Sequence, residues 1–255
     1  MSDAANLVEI FWSAQGEGPY VGRSTVFVRF GECDLRCRWC DSPGTWKKAT
    51  RCRFASLDQA PDRELPNPIE QSVIAEAIAA LAPARGSFVS LTGGEPLLQP
   101  EACRGVARRA RDAGLRVMLE THGLAVEALA QVVDQIDVVS MDWKLESDVE
   151  TAVASPDRDF AARHRAFLET AARAGERYVK VVVTDRSRDE ELDEVCDSVA
   201  RIAPDVPLIL QPVTPFGRVQ TRPDAARLLS LLRRCERRLS DVRLIPQTHP
   251  IYGAR

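Results

Sequence analysis

The sequence alternates short apolar strands with helical segments along most of its length. Strands are predicted to begin at residues 24, 88, 115, 137, 178 and 207. Such regular alternation predicts parallel strands joined by helical crossovers, and therefore an α/β fold. Six units are too few for a closed eight-stranded barrel, so an open partial barrel or a doubly wound sheet fits the pattern. In both architectures ligands bind at the carboxyl ends of the strands.

The remaining elements are predicted from the spacing of apolar residues and from turn signals. One strand covers 7–12 and another covers 242–246, near the two ends of the sequence. Helices are predicted at 69–82, 98–113, 125–133, 159–174, 188–203 and 222–238. Residues 47–68 are polar and contain three prolines, which indicates an inserted loop. We expect residues 1–255 to form a single domain.

The composition places the chain among ordinary globular proteins, with 45% hydrophobic and 28% charged residues. Its net charge of −3 gives no field that favours nucleic acid or an anionic membrane as a partner. No apolar stretch approaches the ~18 residues of a spanning helix. The first residues carry an acid where a signal peptide needs a basic segment. We therefore expect a soluble, cytoplasmic protein.

Three of the seven cysteines lie within eight residues, in the loop after the strand at 24–30, with the spacing Cys33-x3-Cys37-x2-Cys40. Three thiolates ligate three irons of a 4Fe-4S cluster and leave the fourth iron open to a small ligand. The alternative is a structural zinc site completed by a distant His or Cys. The scattered cysteines are expected to be small buried hydrophobes: Cys52, Cys103, Cys196 and Cys235.

Other chemistry-bearing residues follow the predicted strands. Gly93 and Gly94 allow a ligand to approach the backbone closely, and Glu95 can accept a hydrogen bond from an ammonium group. Ser140 and Lys144 follow the fourth strand of the series and fit a carboxylate or a ribose, whereas the neighbouring Asp142 and Trp143 fit packing and salt bridging. Further polar side chains at strand ends fit a structural role nearly as well: Lys180, Gln211 and His122, the last without a catalytic assignment.

The cysteine loop, with Trp39 just before its third cysteine, resembles that of the radical S-adenosylmethionine (SAM) superfamily. The resemblance implies a partial (β/α)6 TIM-like barrel with N-terminal and C-terminal additions. It implies a 4Fe-4S cluster on Cys33, Cys37 and Cys40 whose open iron binds SAM, and reductive cleavage of SAM to a 5′-deoxyadenosyl radical. The residues that it places against SAM are Trp39, Asp41, Gly94, Glu95, Ser140, Lys144 and Gln211.

The segment EIFWSAQGEGPYVGRSTVFVRFGEC, residues 9–33, resembles the 7-carboxy-7-deazaguanine synthase family. That resemblance implies a carbon–nitrogen lyase that contracts the ring of 6-carboxy-5,6,7,8-tetrahydropterin, with loss of ammonia, in queuosine and 7-deazapurine biosynthesis. It also implies Mg²⁺, an electron donor such as flavodoxin or ferredoxin, and a homodimer. Nucleic acid and membrane partners are not expected.

The same resemblance assigns the substrate contacts. They are Ala14, Gln15, Gly16, Glu17, Arg29, Thr92 and His249, the last in a C-terminal segment that resembles the one lying over the pterin. Alternation puts Arg29 on one face of its strand with Thr25 and Phe27. It would pair with the substrate carboxylate, unless a permanent internal acid is its partner. Ser42 stands where the family's Mg²⁺-binding Thr is expected.

Two other functions remain open from the residues themselves. An activase that generates a glycyl radical in a partner protein would share the cysteine loop. It would not need the glycine-rich turn at 15–18 together with the FVRF segment, and their presence favours a small-molecule enzyme. A zinc-stabilised scaffold without catalysis would use the same cysteines as structural ligands.

Overall fold

The computed structural model describes residues 4–55, 61–151 and 159–253. Its strands are β1 (Ala4–Ala5), β2 (Leu7–Ala14), β3 (Ser24–Phe30), β4 (Leu35–Cys37), β5 (Arg51–Phe54), β6 (Arg63–Pro66), β7 (Ile69–Glu70), β8 (Phe88–Gly93), β9 (Arg116–Thr121), β10 (Val138–Asp142), β11 (Val149–Thr151), β12 (Glu176–Val183), β13 (Leu208–Pro212) and β14 (Val242–Leu244). Its α-helices are α1 (Gln71–Leu81), α2 (Pro100–Asp112), α3 (Val126–Val132), α4 (Phe160–Thr170), α5 (Asp189–Ile202) and α6 (Ala225–Glu236).

Ten strands form one sheet in the order β14-β13-β12-β10-β9-β8-β3-β2-β5-β6. The strands from β14 to β3 are all parallel to their neighbours, and helices connect them. The N-terminal addition β2 runs antiparallel to β3, and the pair β5–β6 extends the sheet beyond it. Within the described residues the sheet is open, with β14 and β6 at its ends. This confirms the predicted α/β fold with a central parallel sheet.

The two faces of the sheet differ in chemistry because side chains alternate along each strand. On the outer face, Val28, Leu91 and Val181 belong to the main hydrophobic core that the helices cover. On the inner face, Arg29 and Thr92 line a cavity. The alternation predicted for β3 is therefore confirmed.

An apolar layer closes the amino end of the inner face. Phe88, Met118, Val138, Tyr178 and Ile209 form a separate buried cluster, one residue from each of five adjacent parallel strands. The polar inner residues stand further along the same strands, toward their carboxyl ends. The fold therefore places its polar inner residues above an apolar floor.

The segment 47–68, interpreted from the sequence as an inserted loop, contains β5 and β6, whereas its residues 56–60 lie outside the described ranges. The two strands pair antiparallel, with Arg53 opposite Glu64. Charged residues on both strands are typical of a sheet edge exposed to water. The strands are only four residues long, and the buried Cys52 stands between charged neighbours, so the segment is polar overall.

Across the described ranges, none of the helices combines the length and the apolar character that crossing a membrane requires.

Candidate active site

A cavity of about 430 Å³ lies at the carboxyl ends of the parallel strands. Its walls are the inner face of the sheet, the loop after β3 and the segment that follows β14. Every site residue predicted from the sequence lines it except Ala14 and Glu95. Those that line it are Gln15, Gly16, Glu17, Arg29, Cys33, Cys37, Trp39, Cys40, Asp41, Ser42, Thr92, Gly94, Ser140, Lys144, Gln211 and His249.

The loop after β3 presents its three cysteines to this cavity as free, partly exposed thiols. β4 fixes the middle of the loop by pairing antiparallel with β11, which places Cys37 opposite Val149. The amide of Cys40 donates to the carbonyl oxygen of Cys37 at 3.3 Å and folds the end of the loop. Burial raises the pKa of Cys33 to about 12 and raises the pKa of Cys37. Thiolates at these positions therefore need a cation beside them, as iron provides.

The glycine turn after β8 packs against the start of the cysteine loop. The amide of Glu95 donates to the carbonyl oxygen of Glu32 at 2.8 Å. A Cβ atom on Gly94 would lie 2.0 Å from that same oxygen. Gly93 has a φ of 126°, a conformation that a residue with a side chain rarely adopts. The backbone that these glycines allow to approach is the cysteine loop itself.

Four charged side chains form a connected network at the wall of the cavity. Lys180 bonds to Glu17, and its Nζ lies 3.2 Å from Oδ2 of Asp142. Lys144 Nζ lies 2.8 Å from the same Asp142 oxygen. All four side chains are at most 18% exposed. The two negative and two positive charges cancel, and this pairing offsets the cost of removing them from water.

The network holds every member in its charged form. Burial alone would raise the pKa of Asp142, but Lys144 and Lys180 outweigh burial and lower it to about 2. Burial opposes the charge of each lysine, yet Asp142 raises the pKa of both. Oδ1 of Asp142 and Oε1 of Gln211 are buried and have no hydrogen-bond partner among the described residues. Both residues line the cavity, so these oxygens are acceptors for a ligand there.

The glycine-rich turn after β2 approaches the third parallel strand of the series through Gln15. Its Nε2 donates a 2.9 Å hydrogen bond to Glu120, which also accepts bonds from Ser90 at 2.6 Å and from Thr92 at 3.2 Å. Glu120 itself lines the cavity. Glu120 stands at the end of β9 and was not among the predicted site residues.

Arg29 lies at the edge of the cavity and has an internal acid partner. Its Nε donates a 2.9 Å hydrogen bond to Oε1 of Glu9, the residue opposite it on β2. Its guanidinium carbon lies 5.5 Å from the centroid of the Phe11 ring, within the range of a cation–π contact. The internal acid that the sequence left open as a partner is therefore present, and Arg29 also lines the cavity.

The C-terminal segment lines the cavity beside the glycine-rich turn that follows β2. Thr248 donates its amide to the carbonyl oxygen of Gly16 at 2.9 Å. A Cβ on Gly16 would lie 2.3 Å from Nδ1 of His249, so this glycine leaves the space that the imidazole fills. Gln247 contacts both Glu17, at 2.6 Å, and Asp41, at 3.4 Å. Asp41 also accepts a 2.7 Å hydrogen bond from the hydroxyl of Ser42, the next residue in the sequence.

Comparisons with known proteins decide which family this site belongs to. The model of the radical SAM superfamily matches residues 28–199. The chain is 37% identical to the 7-carboxy-7-deazaguanine synthase of Geobacter sulfurreducens, over 98% of this chain and 97% of that protein. It is 34% identical to the enzyme of the same name from Methanopyrus kandleri, over 96% of this chain and 92% of that protein.

The chain belongs to the 7-carboxy-7-deazaguanine synthase family of the radical SAM superfamily. Its fold is also that of the crystal structure of QueE from Escherichia coli, with a TM-score of 0.63 at 21% identity over 96% of this chain and 95% of that one. Because the chain belongs to this family, the cysteine loop is not that of a zinc scaffold or of a glycyl-radical activase.

For this 7-carboxy-7-deazaguanine synthase family member, the superfamily implies a 4Fe-4S cluster and SAM as cofactors. The residues present fit both groups. The three free thiols are on one loop and line one cavity, as three iron ligands must. The unpartnered oxygens of Asp142 and Gln211 suit a ligand rich in donors, such as the amino group and ribose of SAM.

Two residues of this family member that were predicted to touch ligands do not line the cavity. Ala14 ends β2, half-buried beside the turn. Glu95 is fully buried, and its carboxylate accepts hydrogen bonds from the hydroxyl of Thr121 at 2.8 Å and from the amides of Leu97 at 3.0 Å and His122 at 2.9 Å. These bonds join the turn after β8 to the end of β9, behind the wall of the cavity.

Other cavity residues were missed or left without an assignment: Asp142, Lys180, Glu120 and Gln247. The alternation of β10 offers the signal for Asp142, since it places this carboxylate on the same face as Ser140. For Gln247 the signal was the resemblance of the C-terminal segment, from which only His249 was assigned; its partners lie 206 and 230 residues away.

Proposed function

We propose that this protein converts 6-carboxy-5,6,7,8-tetrahydropterin to 7-carboxy-7-deazaguanine with loss of ammonia, in queuosine and 7-deazapurine biosynthesis. The observation that carries this proposal is a shared cavity. The cysteines of the radical SAM loop and the polar side chains of the N-terminal addition line one space of about 430 Å³. That volume lies in the range of small-molecule sites. It suits a small heterocycle beside SAM better than a protein substrate.

Cys33, Cys37 and Cys40 would hold the cluster, and Trp39, Asp41, Gly94, Ser140, Lys144 and Gln211 would surround SAM. The cluster, when bound and reduced, supplies the electron that cleaves SAM to the 5′-deoxyadenosyl radical. Lys144 stands in the cavity beside Trp39, with its Nζ 5.7 Å from the ring centroid, where it can meet a carboxylate. Glu95 supports the turn that carries Gly94 rather than facing the ligand.

The substrate side of the cavity is formed by Gln15, Gly16, Glu17, Thr92 and His249. Glu17 accepts from Lys180 and Gln247 and stays ionised, because these contacts outweigh its burial and lower its pKa. An ionised carboxylate there accepts hydrogen bonds from the amino and ring N–H groups of a pterin. Arg29 faces the same space and would pair with the carboxylate of the substrate.

Ser42 would provide the hydroxyl oxygen that binds Mg²⁺ in this proposal. A hydroxyl beside a carboxylate suits a cation that keeps most of its own waters and binds substrate oxygens. We further propose that residues 1–255 act as a single domain, that the chain forms a homodimer, and that flavodoxin or ferredoxin reduces the cluster.

The proposal is tested by turnover of the anaerobically reconstituted protein with the carboxy-tetrahydropterin, SAM, Mg²⁺ and dithionite. We expect 7-carboxy-7-deazaguanine and ammonia in equal amounts, measured by mass spectrometry and an ammonia assay. Cys37→Ala serves as the matched inactive control. SAM cleavage to 5′-deoxyadenosine without the deazaguanine product would contradict the proposed substrate while leaving the radical chemistry intact.

A further inference from the structure

The β5–β6 pair contributes no residue to the cavity wall, yet it is connected to the cavity through a row of charges. β5 pairs parallel with β2 and places Arg53 opposite Glu9. β2 pairs antiparallel with β3 and places Glu9 opposite Arg29. Three neighbouring strands therefore carry a base, an acid and a base side by side.

The side chains of this row bond to one another directly. Arg29 Nε donates to Oε1 of Glu9 at 2.9 Å, and Arg53 Nη2 donates to the other carboxylate oxygen, Oε2. Arg53 Nη1 in turn donates to Asp62 at 3.0 Å. Glu9 is 13% exposed, Arg29 19% and Arg53 28%, so water screens these pairs only partly.

Sharing of Glu9 between two arginines matters for what Arg29 can bind. The carboxylate of Glu9 bonds to Arg29 through Nε. The two terminal nitrogens, Nη1 and Nη2, can therefore form a bidentate fork with another acid. Arg53 holds the other oxygen of the same carboxylate and is itself bonded to Asp62, so Glu9 is fixed from both sides and presents Arg29 in one orientation. Without Arg53, Glu9 would lose the bond that fixes its second oxygen, and the orientation of Arg29 would be less well defined.

We propose that Glu9 and Arg53 are positioning residues that orient Arg29 toward the carboxylate of the substrate. This inference rests on the proposed function, because Arg29 is assigned there to the substrate carboxylate. It gives the β5–β6 segment a role in the reaction, although none of its residues touches the ligand. Arg53 acts through Glu9, and Glu9 acts through Arg29.

The β5–β6 pair also provides a matched control. Arg51 lies two residues before Arg53 on the same strand and pairs with Glu64 at 3.0 Å, an exposed pair with no bond to Glu9. Arg51→Ala and Arg53→Ala each remove one arginine–acid pair from this segment. Only Arg53→Ala changes the row that ends at Arg29.

The test compares two ligands on the reconstituted enzyme with SAM bound: 6-carboxypterin, and pterin, which lacks the carboxylate. Binding is measured by anaerobic calorimetry. We expect Arg53→Ala to weaken binding of 6-carboxypterin by about tenfold, as displaced binding groups do, and to leave pterin binding unchanged. Arg53→Lys should recover part of the affinity, and Arg51→Ala should match wild type with both ligands. In turnover, KM for the carboxy-tetrahydropterin should rise more than kcat falls.

The contrary outcomes are distinct. Equal losses for both pterins, or equal losses in Arg51→Ala and Arg53→Ala, would reduce Arg53 to a general structural role and overturn the inference. Unchanged affinity in Arg53→Ala, with product formed by wild type, would overturn it while the proposed function stands. Wild-type protein that binds neither pterin and forms no 7-carboxy-7-deazaguanine would contradict the proposed function, and this inference with it.

Discussion

The side-chain amide of Gln247 donates a 2.6 Å hydrogen bond to the carboxylate of Glu17, across 230 residues of sequence. The bond joins the C-terminal segment to the glycine-rich turn of the N-terminal addition. Gln247→Ala removes it, and we expect KM for the pterin to rise by about tenfold, the effect of losing one hydrogen bond to a charged group. Gln220→Ala, which removes an exposed bond to Gly217 at 2.8 Å, should leave KM unchanged. Steady-state kinetics decide, and an unchanged KM in Gln247→Ala would show that the segment does not shape the pterin site.

Removal of any thiol of the cysteine loop should abolish cluster binding. For Cys33→Ala, Cys37→Ala or Cys40→Ala we expect loss of iron and sulfide from reconstituted protein and no 5′-deoxyadenosine, because a cluster with two protein ligands is poorly held. Cys103→Ala is the control, since this cysteine is fully buried within α2. It should keep its iron and lose only about 1 kcal/mol of stability. Full iron content in Cys37→Ala would contradict the assignment.

Arg29→Lys separates ligand binding from structural pairing. Lysine keeps a positive charge that can still meet Glu9, but it loses the planar fork that binds a carboxylate. We expect kcat/KM for the pterin to fall by about tenfold, or ~1.4 kcal/mol, with the melting temperature and uncoupled SAM cleavage little changed. A lower melting temperature with near-normal kinetics would instead place Arg29 in the framework alone.

Ser42 should determine how the enzyme responds to Mg²⁺. Ser42→Ala removes the hydroxyl, and we expect the Mg²⁺ concentration needed for half-maximal turnover to rise; Ser42→Thr should keep or lower it. Titration of turnover with Mg²⁺ after chelation measures both. The proposed site is wrong if wild-type activity is the same with and without chelator.

The Asp142 network predicts part of the acid sensitivity of the fold. The pKa of Asp142 is lowered from 3.8 to about 2, so its contribution to stability is fully present above pH 3.8 and is lost as the pH falls toward 2. Asp142→Asn should flatten that part of the pH dependence of the unfolding free energy. It should also destabilise the protein at neutral pH by about 3 kcal/mol, because two buried lysines then share one acid. An equally steep acid loss in the variant would contradict this account.

The main elements could be predicted from the sequence because their apolar spacing matches their place in the fold. The strand predicted at 24–30 has those bounds in the structure, and the helix predicted at 69–82 spans Gln71–Leu81. The strands β5 and β6 were not predicted, because each has only four residues and lies in a polar segment that contains three prolines.

The candidate site was predictable where a short spacing carries its chemistry, as in the cysteine loop. Glu9 was missed, although its partnership with Arg29 follows from the antiparallel register of β2 and β3. Glu95 was expected at the ligand because a free carboxylate after a glycine turn suggests recognition. Its carboxylate bonds instead to Thr121 and His122 at the end of the next strand, and no local sequence pattern predicts these contacts.

The glycine turn after β8 also limits how this enzyme can be redesigned. A side chain at Gly94 would collide with the carbonyl of Glu32, one residue before Cys33, and Glu32 itself has a left-handed φ of 79°. The turn and the cysteine loop therefore pack backbone against backbone and depend on each other's conformation. A graft of the cysteine loop onto another scaffold should include the glycine turn, because a side chain in place of Gly94 would clash with the backbone of the loop.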